Sequence, residues 1–398
     1  MRVTREEEAR MATVVQKYGG SSVADVEKLG RVADKVVAAK RAGEDVVVVV
    51  SAMGKTTDQL LALAKQVDPN PPRRELDMLL TTGERVSMAL LAMAIQRRGH
   101  EAISFTGSQS GIITNDRHFD ARIIEVRPHR IEDELARGKV VIVAGYQGMS
   151  YRREITTLGR GGSDTTAIAL AAALGADRAE IYSDVDGVYS ADPRVVPAAL
   201  HLPELTYEAM QEMADVGAKV LNATAVEFAK RSRIAIHARS TFDPGRETVV
   251  RERADGEPRS VVGQRGIVQL RAASERALSR ATQILAEASV PTRDVDATPD
   301  GSGLHASVTV ATSTTPDWEA VRARLIDDLD GEISLVGGLA AASVVGVDPS
   351  AVGTVLEAAR AAGATVRAVR SNGSRISVLV DESGVDEVVR ALHARLVA

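Results

Sequence analysis

The stretch "ITTLGRGGSDTTAIALAAALGA" (residues 155–176) places a glycine-rich loop directly before a helix of small residues, and the loop carries Arg160 and Asp164. Backbone N–H groups at a helix N-terminus attract anions, and the helix dipole adds to this attraction. Arg160 can hold a carboxylate through two hydrogen bonds, while Asp164 can orient a lysine or an ammonium group. The stretch therefore predicts a binding site for a charged ligand. A plain helix cap by Asp164 after a tight turn is the structural alternative.

Short aliphatic runs alternate with helical stretches on both sides of this loop. The runs have strand length and are almost continuously apolar, which is typical of strands buried on both faces of a parallel sheet. They include "TVVQKY" (13–18), "EDVVVVV" (44–50), "KVVIVA" (139–144), "AEIYS" (179–183) and "RIAIHARS" (233–240), with helices predicted at 23–42, 57–66 and 74–98. This order predicts an α/β fold, a three-layer αβα sandwich around a mostly parallel sheet, with ligands at the carboxyl ends of the strands.

The last third of the chain has a different layout. A charged segment rich in Pro and Gly, "STFDPGRETVVRERADGEPRS" (240–260), is typical of a linker. Two units follow it, each with the order of a βαββαβ, ferredoxin-like module, as in an internal duplication. The predicted divisions are an N-terminal extension over 1–10, a first domain over 11–245, a linker over 246–262, and modules over 263–331 and 332–398.

The composition excludes several classes of protein and of functional site. The formal net charge is -5 with acidic and basic residues interspersed, which argues against a nucleic-acid-binding surface. Cysteine is absent, which excludes disulfides, thiolate metal sites and cysteine nucleophiles. The seven histidines are scattered, so we expect no dedicated transition-metal site. We find no secretory leader and no apolar run of about 18 residues, which favours a cytoplasmic protein.

Two glycine patterns resemble nucleotide-binding fingerprints without completing them. "SAMGKTT" (51–57) ends like a P-loop, but Val49 stands where the first glycine of that motif belongs. In "LGRGGSD" (158–164), Asp164 occupies the third glycine position of a dinucleotide fingerprint, where its charge would repel a pyrophosphate. We therefore exclude both a P-loop and an NAD-type site.

Three further segments combine turns with charged side chains. In "QKYGGSS" (16–22), Lys17 ends the first strand and small residues lead into a helix, which suits a transferring phosphoryl group. In "TTGERVS" (81–87), Glu84 can pair with a substrate amine, although a solvated helix carboxylate is the commoner case. "YSDVDGVYSADPR" (182–194) suits the base, ribose and metal side of a nucleotide. Each pattern also occurs in plain turns, and it is their order along one chain that is specific.

These segments, in this order, resemble the aspartate kinases of the amino-acid-kinase family, and the resemblance covers nearly the whole chain from Met11. "KYGGSSVAD" is similar to that family's KFGGTSVAD, "TTGERVS" to its TxGE segment, and "TTLGRGGSDTTA" to its substrate loop. "YSDVDGVYSADPR" is similar to its nucleotide loop, and "GAKVL" (217–221) to the lysine-bearing segment that follows. "FTGSQSG" (105–111) and "SAMG" favour the actinobacterial type, whose tail is a pair of ACT domains.

The resemblance implies transfer of the ATP γ-phosphoryl group to the side-chain carboxylate of L-aspartate, with Mg²⁺ bridging the phosphates. Lys17 would stabilise the transferring group and Asp164 would orient Lys17, while Arg160 would bind the α-carboxylate and Glu84 the α-ammonium of the substrate. The other substrate residues implied are Ser51, Thr57, Gly161, Gly162 and Ser163. The other nucleotide residues implied are Tyr18, Gly19, Gly20, Ser21, Ser183, Asp184, Tyr189, Asp192, Arg194 and Lys219.

The sequence departs from the family pattern at several positions. Asn222 and Thr224 stand where the family usually has His-x-Arg after "GAKVL". The Asp-x-Pro-Gly turn before the first ACT helix of regulated relatives is replaced by "ASER" (273–276), and an acidic stretch of the second module is replaced by "RSNGSRISVLV" (370–380). These changes predict reduced or altered feedback by lysine and threonine. A retained effector site would use Ser274, Glu275, Arg276, Ala277, Asn372 and Gly373.

Two other functions stay open on the sequence alone. One is a related kinase that acts on an aspartate analogue in a specialised pathway. The other is a catalytically silent relative that only senses a ligand. Paired ACT domains imply at least a homodimer, and the actinobacterial relatives imply an additional ACT-only subunit as a possible partner.

Overall fold

The computed structural model describes residues 11–397, apart from 160, 244, 257, 289, 291, 301–302, 313–314 and 316. The described residues form two compact units. The first reaches to Val188 and also contains Leu202–Gln211 and Lys219–Asp255. The second contains Tyr189–His201, Glu212–Ala218 and the described residues from Gly256 onward.

The first unit contains a large, mostly parallel sheet. In chain order, the strands up to the end of this unit are β1 (Thr13–Tyr18), β2 (Asp45–Val50), β3 (Ala102–Phe105), β4 (Ile112–Thr114), β5 (Ile123–Val126), β6 (Val140–Ala144), β7 (Gln147–Ser150), β8 (Ile155–Thr157), β9 (Arg178–Ser183), β10 (Val188–Tyr189), β11 (His201–Leu202), β12 (Glu204–Thr206), β13 (Ile236–Ser240) and β14 (Glu247–Arg251). Within the described residues, the large sheet has the order β12-β14-β13-β9-β1-β2-β6-β3. Neighbours from β13 to β3 are parallel, and β14 is antiparallel to β13.

Helices cover both faces of this sheet. In chain order, the helices up to residue 232 are α1 (Val26–Arg41), α2 (Thr56–Val67), α3 (Arg73–Leu80), α4 (Thr82–Gln96), α5 (His129–Ala136), α6 (Gly162–Leu174), α7 (Tyr207–Asp215) and α8 (Ala223–Ser232). Tyr18 lies in the buried cluster that α1 and α4 form with the sheet, whereas Lys17 contacts Asp164 of α6. Because neighbouring residues of a strand point to opposite faces, the two sets of helices lie on opposite sides. The predicted three-layer αβα fold is confirmed.

One helical stretch, Arg73–Gln96, is long and apolar enough to cross a membrane by length and composition alone. Core helices of globular domains meet the same criterion. Leu80, Leu91 and Ile95 of this stretch are fully buried, so we interpret α3 and α4 as core helices of the first unit.

Three local features differ from the expectations. The helix predicted at 74–98 is divided at Thr81 into α3 and α4. A strand, β14, lies within the segment interpreted as a linker, where Thr248 and Val250 alternate with less buried positions among charged residues. A small sheet of order β5-β4-β7-β8 also occurs, formed by strands that were not predicted.

The second unit has one sheet that joins the two predicted modules. Its elements from residue 260 onward are β15 (Ser260–Ala272), α9 (Glu275–Glu287), β16 (Thr292–Asp300), β17 (Gly303–Ala311), α10 (Trp318–Asp328), β18 (Ile333–Val345), a 3₁₀ helix (Pro349–Ala351), α11 (Val352–Ala361), β19 (Ala368–Ser371), β20 (Arg375–Asp381), a 3₁₀ helix (Glu382–Gly384) and α12 (Val385–Leu396). Each module thus has the expected strand–helix–strand–strand–helix order. The strand order is β16-β17-β15-β18-β20-β19.

The long strands β15 and β18 belong to both modules. The second half of β15 pairs with β17 of the first module. Its first half, Ser260–Gln264, pairs with the segment 341–345 of β18, which in turn pairs with β20 of the second module. The end of the predicted linker (246–262) and the two residues after it therefore contribute a strand to the second module.

Candidate active site

The carboxyl end of β1 carries a buried ion pair. Lys17 lies in the middle of the sheet, in register with Val49 of β2 and Ile181 of β9. Its Nζ is 2.7 Å from Oδ1 of Asp164, in the first turn of α6, and both side chains are nearly buried. The lysine and the aspartate that the sequence motifs singled out are thus in direct contact, although 147 residues separate them in the sequence.

The glycine loop after β1 lies against the loop after β2. The N–H of Gly19 donates to the carbonyl of Tyr182, and a Cβ on Gly19 would be 3.4 Å from Lys17 Nζ. A Cβ on Gly20 would lie 2.9 Å from the carbonyl oxygen of Ala52, a distance that real side chains do not tolerate. Gly54 closes the contact, because its N–H donates to the carbonyl of Gly20. The glycine loop thus begins beside the lysine ammonium, and the loop after β2 packs against it.

Glu84, in the first turn of α4, is a buried carboxyl beside the loop after β2. Its Oε1 accepts the N–H of Ala52 at 3.1 Å, and its Oε2 is buried without a hydrogen-bond partner among the described residues. Gly83 allows the helix to approach, since a Cβ there would be 2.8 Å from Cβ of Ala52. Burial raises the pKa of Glu84 to about 7, which the hydrogen bond from Ala52 only partly opposes. The site thus holds an oxygen that lacks a donor.

The start of α6 is held by two neighbouring loops. Gly145, which follows β6, faces Ser163 so closely that a Cβ would be 2.7 Å from the serine hydroxyl. Gly161 has φ +72° and precedes the helix, and a Cβ there would be 2.3 Å from Nδ2 of Asn222. Asn222 caps α8 by accepting the N–H groups of Thr224 and Ala225. Asn222, which replaces the residue usual in the family, thus caps α8 and packs against the glycine loop.

Tyr18 differs from the other predicted nucleotide residues. Its side chain is fully buried and stacks on Tyr182, with ring centroids 4.7 Å apart. The hydroxyl donates to Gln16, and burial raises the pKa of the phenol well above its usual value. Since Tyr18 points to the face opposite Lys17, only its backbone is on the ligand side of the strand: its carbonyl accepts the N–H of Ser51.

The other predicted substrate residues have these positions. Ser51 follows β2 directly, and its carbonyl accepts the hydroxyl of Ser87. Thr57 is the second residue of α2 and is half-buried, while Ser21 is exposed in the glycine loop. Arg160, predicted to bind the substrate α-carboxylate, lies outside the described residues.

The predicted nucleotide residues are divided between the two units. In the first unit, Ser183 ends β9 and its hydroxyl accepts the N–H of Val185, while Asp184 and Lys219 are exposed. In the second unit, Tyr189 makes an edge contact with His201. Asp192 and Arg194 form an exposed ion pair at 2.7 Å.

The predicted effector residues lie in two places in the second unit. Ser274 caps α9, because its hydroxyl accepts the N–H of Ala277; Glu275 and Arg276 are the first residues of that helix. Asn372 and Gly373 form the exposed turn between β19 and β20. Asn372 faces Glu212 at 3.4 Å, and its Oδ1 accepts the N–H of Ser374.

Asp77 is a residue that the motifs missed. It is fully buried on α3 and accepts hydrogen bonds from the hydroxyl of Thr157 at 2.6 Å and from the N–H of Phe119, whose φ is +72°. His118 Nδ1 lies 2.7 Å away. Burial raises the pKa of Asp77 against these favourable contacts. It therefore ties the segment 118–119 to the end of β8, just before the glycine loop. The available signal was a carboxylate between buried leucines in "ELDMLL" (75–80).

Among the described residues, no group of three or more His, Asp or Glu side chains is arranged to hold a metal ion. The site is instead defined by a lysine, two carboxylates and glycine loops at the ends of β1, β2 and β6. This arrangement offers a cation to a phosphate and an acceptor oxygen to an ammonium group.

Comparison with known proteins gives the same kind of chemistry. The profile of the amino acid kinase family matches residues 12–240. An aspartokinase of Mycolicibacterium smegmatis is 44% identical over 408 residues, and one of Corynebacterium glutamicum is 44% identical over 410 residues; both alignments cover 96% of each chain.

Solved structures support this assignment. E. coli aspartokinase III in complex with aspartate and ADP, in the R-state, matches with a TM-score of 0.84 and 26% identity, covering 96% of this chain and 99% of that one. The same enzyme with lysine and aspartate, in the T-state, matches with a TM-score of 0.74 and 26% identity, covering 97% and 100%. The chain therefore belongs to the amino acid kinase family, and within it to the aspartokinases, enzymes that phosphorylate aspartate.

Proposed function

We propose that the protein transfers the γ-phosphoryl group of MgATP to the side-chain carboxylate of L-aspartate and releases ADP and 4-phospho-L-aspartate. A carboxylate oxygen forms a bond to the γ-phosphorus while the bond to the β,γ-bridging oxygen breaks, and ADP leaves with the bonding electrons. The observation that carries the proposal is the Lys17–Asp164 ion pair beside Gly19 and Gly20. Both substrates are anionic at the reacting atoms, so a fixed ammonium between them lowers their repulsion.

The chain's own task in this reaction is to position groups and to stabilise charge. Lys17 stabilises the negative charge of the phosphoryl group during its transfer from ATP to aspartate, and Asp164 holds the ammonium in place. Gly19 leaves room for phosphate oxygens beside the lysine ammonium, and Gly20 lets the loop after β2 pack against this phosphate-binding loop. Mg²⁺ enters bound to the nucleotide phosphates, as part of the substrate.

Glu84 is the proposed ligand of the substrate α-ammonium. Its Oε2 is buried and unpaired among the described residues, and burial raises the pKa of the carboxyl to about 7. An ammonium donor would supply both the hydrogen bond and the opposite charge. By resemblance to the family, Arg160 would bind the α-carboxylate, so the two residues together would select an α-amino acid.

The nucleotide would contact the acidic turn after β9, at Ser183 and Asp184, and then Tyr189, Asp192, Arg194 and Lys219. This part of the proposal is supported by the resemblance of the segment and by the ADP bound in E. coli aspartokinase III. We also propose a cytoplasmic homo-oligomer with reduced or altered feedback by lysine and threonine, because the turns at Ser274 and Asn372 differ from the family's effector turns. Lysine is bound in the T-state structure of the E. coli enzyme.

Aspartate-dependent ADP release, with hydroxylamine trapping of the acyl phosphate, tests the reaction. Lys17→Ala and Asp164→Ala should abolish turnover while the proteins stay folded by circular dichroism. Lys65→Ala, a lysine on the exposed side of α2, is the matched control and should keep wild-type turnover. Near-normal activity in Lys17→Ala or Asp164→Ala contradicts the assigned roles.

A panel of aspartate analogues in the same assay distinguishes aspartate from a modified acceptor. Millimolar lysine plus threonine tests the regulatory proposal. We expect little joint inhibition, and strong joint inhibition would show that the effector site is intact.

A further inference from the structure

The segment that follows the acidic turn after β9 is built into the core of the second unit. Tyr189–His201 belongs to this unit, although Val188, the residue before it, belongs to the first. Ala191 and Val196 are buried in the cluster that contains Val388 and Leu392 of α12. The segment thus has apolar anchors of its own, and α12 supplies part of the surface on which it packs.

Ser190 fixes the segment by hydrogen bonds. It is fully buried, its N–H donates to the carbonyl of Leu200, and its own carbonyl accepts the N–H of Val261 at 2.7 Å. Its Oγ accepts the N–H of Leu200 at 2.8 Å and lies 2.8 Å from Nε2 of His393. The serine hydroxyl can accept the N–H of Leu200 and still make a hydrogen bond with the ring nitrogen, as donor or as acceptor according to the histidine tautomer. His393, on α12, is 2% exposed.

A buried histidine is costly unless its ring nitrogens are satisfied, so the simplest account of His393 is a structural one. The location of His393 suggests an additional role. Ser190 directly follows Tyr189 and precedes Asp192 by two residues, and both are proposed nucleotide ligands. A hydrogen bond that fixes the backbone of Ser190 also fixes the backbone positions from which the side chains of Tyr189 and Asp192 extend.

We propose that His393 is a positioning residue for nucleotide binding, which acts through Ser190 on the segment 189–192. The inference rests on the proposed function, since it assumes that this segment contacts ATP. Without the hydrogen bond the segment samples other conformations, and the apparent affinity falls in proportion to the fraction that stays competent. Aspartate binding should not change, because the residues proposed for it lie elsewhere, at the ends of β1, β2 and β6 and the start of α6.

The test compares His393→Phe, which keeps the ring volume, with His393→Gln, which restores an amide near the position of Nε2. Steady-state ADP release gives KM for ATP, KM for aspartate and kcat. Losing one buried neutral hydrogen bond should raise KM for ATP about fivefold in His393→Phe. We expect KM for aspartate and kcat to stay within about twofold of wild type, and His393→Gln to recover most of the affinity for ATP.

Leu325→Ala is the control for a loss of stability, since it loosens a separate apolar cluster of the second unit that contains no residue of the segment 189–201. Its midpoint of thermal unfolding should fall at least as far as that of His393→Phe, while KM for ATP stays at the wild-type value. An unchanged KM for ATP in His393→Phe, or an equal rise in Leu325→Ala, would reduce His393 to a structural residue.

Ser190→Ala provides the same test from the other partner and serves if His393→Phe does not fold. It should raise KM for ATP as much as His393→Phe does, and the double variant should show no further rise. Independent, additive effects would overturn the inference. A wild-type protein without aspartate-dependent ADP release would instead refute the proposed function, so the two failures are distinguishable.

Discussion

Lowering the pH from 8 to 6 should weaken aspartate binding through Glu84. Burial raises the pKa of this carboxyl to about 7, and only the carboxylate form attracts an ammonium group. The substrate amine stays protonated over this range, so Glu84 is the group that titrates. About nine-tenths of it is ionised at pH 8 and about one-tenth at pH 6. KM for aspartate should therefore rise about tenfold.

Initial rates of ADP release at saturating MgATP, measured every half pH unit, give this profile. Glu84→Gln is the matched variant, because the amide keeps the shape and cannot titrate. Its KM for aspartate should be raised at least about tenfold at pH 8, as expected for the loss of a charged hydrogen bond, and should be flat down to pH 6. A wild-type KM that changes less than about twofold, or a Glu84→Gln variant with the wild-type profile, would refute the assignment.

Three further predictions concern stability. Because the pKa of Glu84 rises from 4.5 to about 7 on folding, the wild type loses stability as the pH rises through this range. Urea unfolding should show that Glu84→Gln is more stable than the wild type by up to about 3 kcal/mol at pH 8 and equally stable below pH 4.5. Gly161→Ala should lower the free energy of unfolding by well over the roughly 1 kcal/mol expected for Gly138→Ala. Both glycines have positive φ, but only Gly161 faces Asn222. Equal losses of stability in the two variants would contradict the close packing of Gly161 against Asn222. Asp77→Ala should cost about 3 kcal/mol, because it leaves buried donors unpaired, and a change below about 1 kcal/mol would refute its structural role.

The strands of the main sheet were predictable because burial on both faces requires continuous apolar runs. "DVVVVV" in β2 and "VVIVA" in β6 have no other reasonable place in a globular fold. β14 escaped prediction because only two of its five residues are buried, at alternate positions among charges. The division at Thr81 also escaped, since no helix-breaking residue marks it and its φ of -63° and ψ of -12° stay close to helical values.

The candidate site residues could be identified from the sequence where one short segment contains the whole pattern. Lys17 with its glycines and Asp164 with its helix are local features, so a motif is enough. Asp77 acts through Thr157, 80 residues away, and a contact over that distance leaves no local pattern. The shared strands β15 and β18 were missed for a related reason, because pairing between Ser260 and Val345 depends on register across the whole module.

Features that are unfavourable for stability are concentrated at the carboxyl ends of the strands of the main sheet. Lys17 and Asp164 are a nearly buried ion pair, and such pairs are often no more stabilising than apolar residues of the same volume. Glu84 is buried with an unpaired oxygen among the described residues. The neighbouring strands β2 and β6 contain valine or isoleucine at almost every position, so apolar packing was available to the fold. The ligands proposed above would bring the opposite charges: phosphate oxygens for the lysine and an ammonium group for the glutamate.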